Sequence, residues 1–202
     1  MNDKMAEHTL VFILMLCGLL LARILSATSF RERYSSIRQH SRAGLTLEIA
    51  GLVLLFSITM VGMPAVDLLT PWLDAVDFDF IGWVAWLGVA IGTAAVLLLW
   101  RAHYDLLRFL NQPESRHHFI ETGVYRFIRH PFYAVMLLLA IAQTLMLQNW
   151  VGGPLAIATF LIVYILRIPV DEQSAMERYG YSYLDYMDRT NSLMPRLFSR
   201  QH

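Results

Sequence analysis

The chain has 202 residues, of which 56% are hydrophobic and only 16% charged, with zero formal net charge and a positive mean hydropathy. That balance disfavours a soluble globular fold. It also argues against a nucleic-acid partner, because the arginines flank apolar runs instead of covering one face. Cys17 is the only cysteine, so an internal disulfide and a cysteine-held metal cluster are excluded, and the seven histidines lack the helical spacing of metal ligands.

A bilayer core about 30 Å thick needs ~20 mostly apolar residues per helix. Five segments come close: Thr9–Ser26, Gly44–Ala65, Phe80–Trp100, Phe132–Gln148 and Trp150–Ile168. The first follows "MNDKMAEH", which lacks the positive bias of a secretory signal, and its arginines come after the apolar run, so it reads as a retained span. The second carries Glu48 just inside its start. An ionisable residue within a span is a functional candidate by default; the plain alternative is that Glu48 reaches water at the cytoplasmic end.

The third span runs on into "RAHYDLLRFLNQPESRHH", a polar helical extension that Pro113 ends. "FIETGVY" then forms a loop in which Gly123 is free to take a positive φ. Pro131 suits the first turn of the fourth span, where its missing N–H costs nothing. The fourth and fifth spans are separated by almost nothing and are expected to turn at Gly152-Gly153-Pro154. "RIPVDEQSAMERYGYSYLDYMDRT" is too polar to span and reads as one or two cytoplasmic helices divided by Gly180.

The expected fold is therefore an all-α integral membrane protein. It has five transmembrane helices, a C-terminal helical hairpin and cytoplasmic polar helices, in one domain over residues 1–202. Residues 1–100 supply three spans, and residues 101–202 carry nearly all the candidate chemistry. Fifteen of the sixteen Lys and Arg residues fall at 23–42, 101–129 or 167–200, whereas loop 66–79 holds Asp67, Asp74, Asp77 and Asp79 without a basic residue. By the positive-inside rule the N-terminus lies outside, and the C-terminus and candidate site lie in the cytoplasm. Most of these arginines, Arg126 and Arg129 included, are read as topology signals and head-group anchors.

The most informative stretch is "ETGVYRFIRHPFY", followed beyond the hairpin by "RIPVDEQSAMERYGYSYLDY" and Pro195. Its Thr122, Gly123, Tyr125, Arg126, Arg129, His130, Pro131 and Tyr133 form one motif; Arg167, Asp171, Glu172, Tyr179, Gly180, Tyr183 and Tyr186 form a second. This pair of motifs resembles the isoprenylcysteine carboxyl methyltransferase family and its phospholipid-methylating relatives. The resemblance covers about residues 117–195. Asp171 stands where that family has the first of two glutamates, Val135 where Gly is frequent, and Ala175 where Leu is usual. The resemblance implies a membrane enzyme that binds S-adenosylmethionine in a cytoplasmic pocket over the C-terminal hairpin. It carries His117, His118, Phe119, Ile120, Tyr125, His130, Pro131, Phe132, Tyr133, Asp171 and Glu172 into the cofactor pocket, with Arg167 as the catalytic residue.

These residue types suit that chemistry. Aromatic faces stabilise a sulfonium and stack an adenine, which gives Tyr125, Phe132 and Tyr133 a role. Asp171 and Glu172 supply carboxylates for an ammonium group and ribose hydroxyls, and backbone N–H groups near a helix start can hold a carboxylate. Arg167 offers a planar fork to an acceptor carboxylate. Taken singly, each has a plainer reading: Tyr183 and Tyr186 as interfacial anchors, and Arg167 with Asp171 as a simple i, i+4 pair. The expected partners are membrane lipids and a lipophilic or small-molecule methyl acceptor. An apolar thioether-linked carboxylic acid leads, a small thiol, amine or phospholipid head group is the alternative, and a sterol-type reductase or a non-catalytic accessory protein stands further off.

Overall fold

The computed structural model describes residues 7, 10–17, 47–77, 81–112 and 118–195. Most of the expected first span, together with Pro113, His117 and the side chain of Glu48, lies outside the described residues. Those described are helical or irregular; β-pairing among them is limited to the isolated bridges Asp77 with Asn149 and Ile128 with Asn191. Residues 10–17 form a helical segment. The named helices are α1 (Leu47–Ser57), α2 (Met63–Leu69), α3 (Gly82–Leu110), α4 (Pro131–Leu147), α5 (Gly152–Tyr179) and α6 (Tyr181–Arg189).

Helices α3 and α5 have 29 and 28 residues and are long and apolar enough to cross a membrane. At 1.5 Å per residue each extends about 42 Å, longer than a hydrocarbon core of about 30 Å, and the last turns of each are polar. The expected extension of the third span is thus part of α3. The expected separate polar helix after residue 168 is instead the continuation of α5, through Pro169 to Tyr179. The i, i+4 pairs Arg167–Asp171 and Gln173–Glu177 support the helical geometry there. Gly180 ends α5 with φ +58° and starts α6, as expected.

The core forms where α3 and α5 clasp α4. The face that α3 buries is mostly a stripe of small residues, Ala85, Gly88, Gly92, Ala95 and Ala102, joined by Leu99 and Asp105 towards its end. A Cβ at Gly88 would stand 2.6 Å from Met146 Cγ, so glycine sets how closely α3 approaches α4. Phe12, Phe56, Leu139, Met146 and Phe160 fill the same cluster and bring residues 10–17 and α1 against it.

Between α1 and α2, residues Ile58–Gly62 widen into a π-helical turn. Pro64 lacks the N–H that would close either an i+4 bond to Met60 or an i+5 bond to Thr59. The buried Gln143 amide instead donates to Thr59 O at 3.1 Å and to Gly152 O at 3.0 Å. The Thr59 and Thr159 hydroxyls meet at 3.0 Å. The bond to Thr59 O satisfies a backbone acceptor that an apolar interior would otherwise strand.

The hairpin turns at Gln148–Val151 and not at Gly152-Gly153-Pro154, which form the first turn of α5. Gln148 takes the left-handed conformation (φ 50°, ψ 42°), and its amide pairs with both Ile81 N–H (2.7 Å) and Ile81 O (2.9 Å). Asn149 Oδ1 accepts from the N–H groups of Val151 (2.9 Å) and Gly152 (2.8 Å), while Nδ2 donates to Leu73 O and Asp77 Oδ1. Capping by Asn149 therefore fixes where α5 begins.

Candidate functional site

At the opposite end of the helices from that clasp, three segments converge: residues 118–133, the last turns of α5, and α6 with the strand-like residues 190–192. The first is shaped from below by Asp105 of α3. Its buried Oδ2 accepts from Val124 N–H (2.8 Å) and from Arg101 Nε (3.1 Å). Gly123 has φ +64°, and a Cβ there would run into the Asp105 carboxylate. Glycine is required twice over, by backbone conformation and by space. The turn Gly123–Arg126 then delivers Tyr125, whose carbonyl accepts the Tyr186 hydroxyl at 2.6 Å.

Next, residues 129 and 130 are zipped onto the chain beyond α6. Arg129 N–H donates to Asn191 O (2.9 Å) and His130 N–H to Ser192 O (3.0 Å). Pro131 opens α4 in its first turn, as expected from the missing N–H. The His130 ring does not cap that helix but turns to α5.

Two carboxylates on α5 receive these groups, each in a different way. Asp171 takes the Tyr133 hydroxyl on Oδ2 at 3.0 Å and Arg167 on Oδ1 at 2.7 Å. Glu172 Oε1 takes Arg129 through Nε (3.1 Å) and Nη2 (3.0 Å), and His130 Nε2 at 3.2 Å. Burial holds the His130 imidazole below its ordinary value, outweighing the hydrogen bond and charge of Glu172; the Arg129 charge pushes the same way as burial. A neutral ring that meets a carboxylate through Nε2 must carry its proton there, which leaves Nδ1 with the lone pair.

An aromatic cluster borders the carboxylates. The Phe119 ring centroid lies 5.2, 5.3 and 5.1 Å from those of Tyr179, Tyr183 and Tyr186. Tyr183 and Tyr186 are buried, so the reading of them as head-group anchors is overturned. Burial, followed by the negative charge of Glu172, pushes the Tyr183 phenol up to about 12. A pocket of about 120 Å³ shares Phe119 and Tyr179 with this cluster and is also lined by His118, Glu121, Ser182, Asp185 and Arg189.

The fold thus brings His130, Tyr133, Arg167, Asp171 and Glu172 together, and sets His118 and Phe119 beside Tyr179 and Tyr183. Phe132 departs from this group: its ring meets His103 of α3 edge-on at 6.4 Å. Ile120 is half-buried, Tyr125 is buried within the cap, and His117 lies outside the described residues. Sequence reasoning missed Asp105, although its i, i+4 spacing from Arg101 was visible. It also treated Arg129 as an anchor, whereas the structure turns that side chain inward.

A family model described as a protein of unknown function (DUF1295) matches residues 4–190. The chain belongs to the DUF1295 family. Curated relatives bear out the resemblance read from the motifs. A "probable protein-S-isoprenylcysteine O-methyltransferase" of Oryza sativa subsp. indica is 30% identical over 127 residues, which are 59% of this chain and 63% of the relative. "Protein-S-isoprenylcysteine O-methyltransferase A" of Arabidopsis thaliana is 30% identical over 112 residues, 54% of each chain. The Saccharomyces cerevisiae protein-S-isoprenylcysteine O-methyltransferase is 33% identical over 86 residues, 41% of this chain and 34% of that one. The DUF1295 chain therefore spans between about one third and two thirds of the length of these relatives. Its DUF1295 match takes in every site residue from Arg101 to Thr190, and leaves Asn191 and Ser192 just beyond it.

Proposed function

We propose that this DUF1295 protein is a membrane-embedded methyltransferase that moves a methyl group from S-adenosylmethionine to a lipophilic acceptor, the carboxylate of an isoprenylcysteine-like substrate. The observation that carries the reading is the meeting of Tyr133 with Asp171 and of His130 with Glu172, side by side where α4 starts and α5 leaves its apolar stretch. The residues fit the donor's chemistry. Asp171 is a partly exposed anion, already oriented by Tyr133 and Arg167, and suits an ammonium group or ribose hydroxyls. The Tyr133 ring and the rings around Phe119 offer faces to a cation and an adenine.

When bound, S-adenosylmethionine supplies an electrophilic methyl carbon on a sulfonium. In-line displacement asks little covalent chemistry of the protein, so positioning and exclusion of water dominate. Asp171 is the donor-facing carboxylate, since its side chain is 29% exposed against 15% for Glu172, which Arg129 and His130 hold inward. One arm of the Arg167 fork pairs with Asp171, and its remaining donors are suited to orienting an acceptor carboxylate. That acceptor is ionised at neutral pH and needs no base. The neutral His130 ring favours a second reading, methylation of a small thiol, amine or head-group nitrogen, with Nδ1 as the proton acceptor.

The same frame supports membrane embedding. All five tryptophans are exposed, and Trp83 and Trp100 are separated by about 26 Å of α3, close to the span of a hydrocarbon core. We assign five spans in a single domain, with residues 101–202 as the catalytic region, the N-terminus outside and the C-terminus cytoplasmic. Calorimetry of the detergent-solubilised protein with S-adenosylhomocysteine tests the donor. Binding that Asp171→Ala weakens supports the proposal, and no heat of binding to folded wild-type protein refutes it. Incubating the protein with labelled methyl donor and a prenylcysteine analogue tests the acceptor: base-labile label in the product indicates an ester, whereas base-stable label moves the assignment to the thiol or amine reading.

A further inference from the structure

Arg129 is the most heavily engaged side chain at the site. Besides the two bonds to Glu172, its Nη1 donates to Met187 O at 2.9 Å and to the carbonyl of Thr190. Those two carbonyls lie at the C-terminal end of α6, where helix acceptors lack partners and a cation is favoured. One guanidinium therefore joins the start of α4, the carboxylate face of α5 and the end of α6, and its own backbone N–H holds Asn191 O. The side chain is 11% exposed and that of Glu172 is 15% exposed, so the ion pair is largely withdrawn from water. A lysine, with a single compact ammonium, does not reproduce a fork that bridges acceptors on two helices.

We infer that Arg129 is a positioning residue: by gripping Glu172 and anchoring the end of α6, it fixes Glu172 and the His130 ring bonded to it, and leaves the more exposed Asp171 as the carboxylate that faces the donor. The inference rests on the methyl-donor reading above for its consequence, but not for its structural core. The groups that act on His130 are Glu172 and Asp171 from α5 and Arg129 from its own segment; the Tyr133 ring packs at 5.8 Å from the same side of the chain. Tyr183 of α6 senses the same three charges.

The experiment uses the full chain in detergent micelles with ring-labelled histidine, the His130 resonance being identified from its loss in His130→Gln. Its titration is followed by NMR without ligand in wild type, Arg129→Gln, Arg129→Lys and Glu172→Gln. Arg129→Gln is expected to move the His130 midpoint upward, and Glu172→Gln to move it downward. Arg129→Lys should lie nearer wild type, because it restores the charge. S-adenosylhomocysteine affinity should fall roughly tenfold or more in Arg129→Gln, the penalty of leaving one half of a shielded pair. The Arg129→Gln, Glu172→Gln double variant should be no weaker than Arg129→Gln alone, since both act through one interaction. Unchanged His130 midpoints in variants that melt like wild type, or strictly additive losses in the double variant, overturn the inference. Failure of the wild type to bind S-adenosylhomocysteine overturns the methyl-donor reading instead, while opposite His130 shifts in the ligand-free variants still support the clamp.

Discussion

The Tyr133 hydroxyl donates to Asp171 Oδ2 at 3.0 Å, bonding the first turn of α4 to the polar end of α5 across 38 residues of sequence. This bond orients the carboxylate assigned to the donor, so Tyr133→Phe isolates its effect while keeping the ring. A single hydrogen bond to a charged group contributes about 1.5–3 kcal/mol. Affinity for S-adenosylhomocysteine is therefore expected to fall by roughly tenfold at the low end and by at most about 150-fold, read by calorimetry. The thermal midpoint of the ligand-free protein should drop by several degrees, because the bond is already made without ligand.

Gly123→Ala tests the support beneath the turn. A left-handed φ costs an alanine about 1–2 kcal/mol, and the Asp105 carboxylate occupies the space its Cβ needs. Destabilisation should exceed that backbone cost. Combining Gly123→Ala with Asp105→Ala should destabilise less than the sum of the two single changes, because the second removes the clash. Denaturant titration of the three variants measures the coupling.

Gln143→Leu addresses the polar staple of the core. It leaves Thr59 O, which Pro64 cannot serve, without a donor, whereas Gly152 O keeps its place in the α5 ladder. One stranded buried acceptor costs about 1–3 kcal/mol, so a comparable loss is expected in detergent unfolding despite the gain in hydrophobicity. S-adenosylhomocysteine affinity should remain close to wild type, since the staple lies in the core and not among the site residues.

Proton linkage sets two windows of stability. His130 has a depressed value when folded, so below about pH 6.5 the unfolded chain binds the extra proton more readily. Stability from this group is complete above that pH and is lost as pH falls through the folded value; His130→Gln should flatten this acid limb. Tyr183 is shifted the other way. Its contribution is complete below about pH 10 and is lost as pH rises towards about 12. Tyr183→Phe should remove that alkaline loss, as read from thermal midpoints across pH.

Several features were legible because their causes are local. The apolar runs located α3, α4 and α5, Pro131 and Gly180 marked where helices begin or part, and the two motifs contained both halves of the polar cluster. The spacing of Arg167 and Asp171 alone announced their ion pair. Such statements depend on hydrophobic patterning, fixed φ values and helical periodicity, all of which reside in short stretches of chain. Tertiary structure alone decided the partners. Whether Arg129 faces lipid head groups or Glu172, and whether Tyr186 anchors at a surface or donates to Tyr125 O, depends on how each helix is rotated about its axis. The hairpin corner moved to Gln148–Val151 because Asn149 and Gln148 find acceptors and donors at residues 73–81. Asp105 likewise gained its meaning only when α3 slid beneath Gly123. Contacts across 19 to 76 residues follow from close packing of whole helices, and no window of sequence encodes that register.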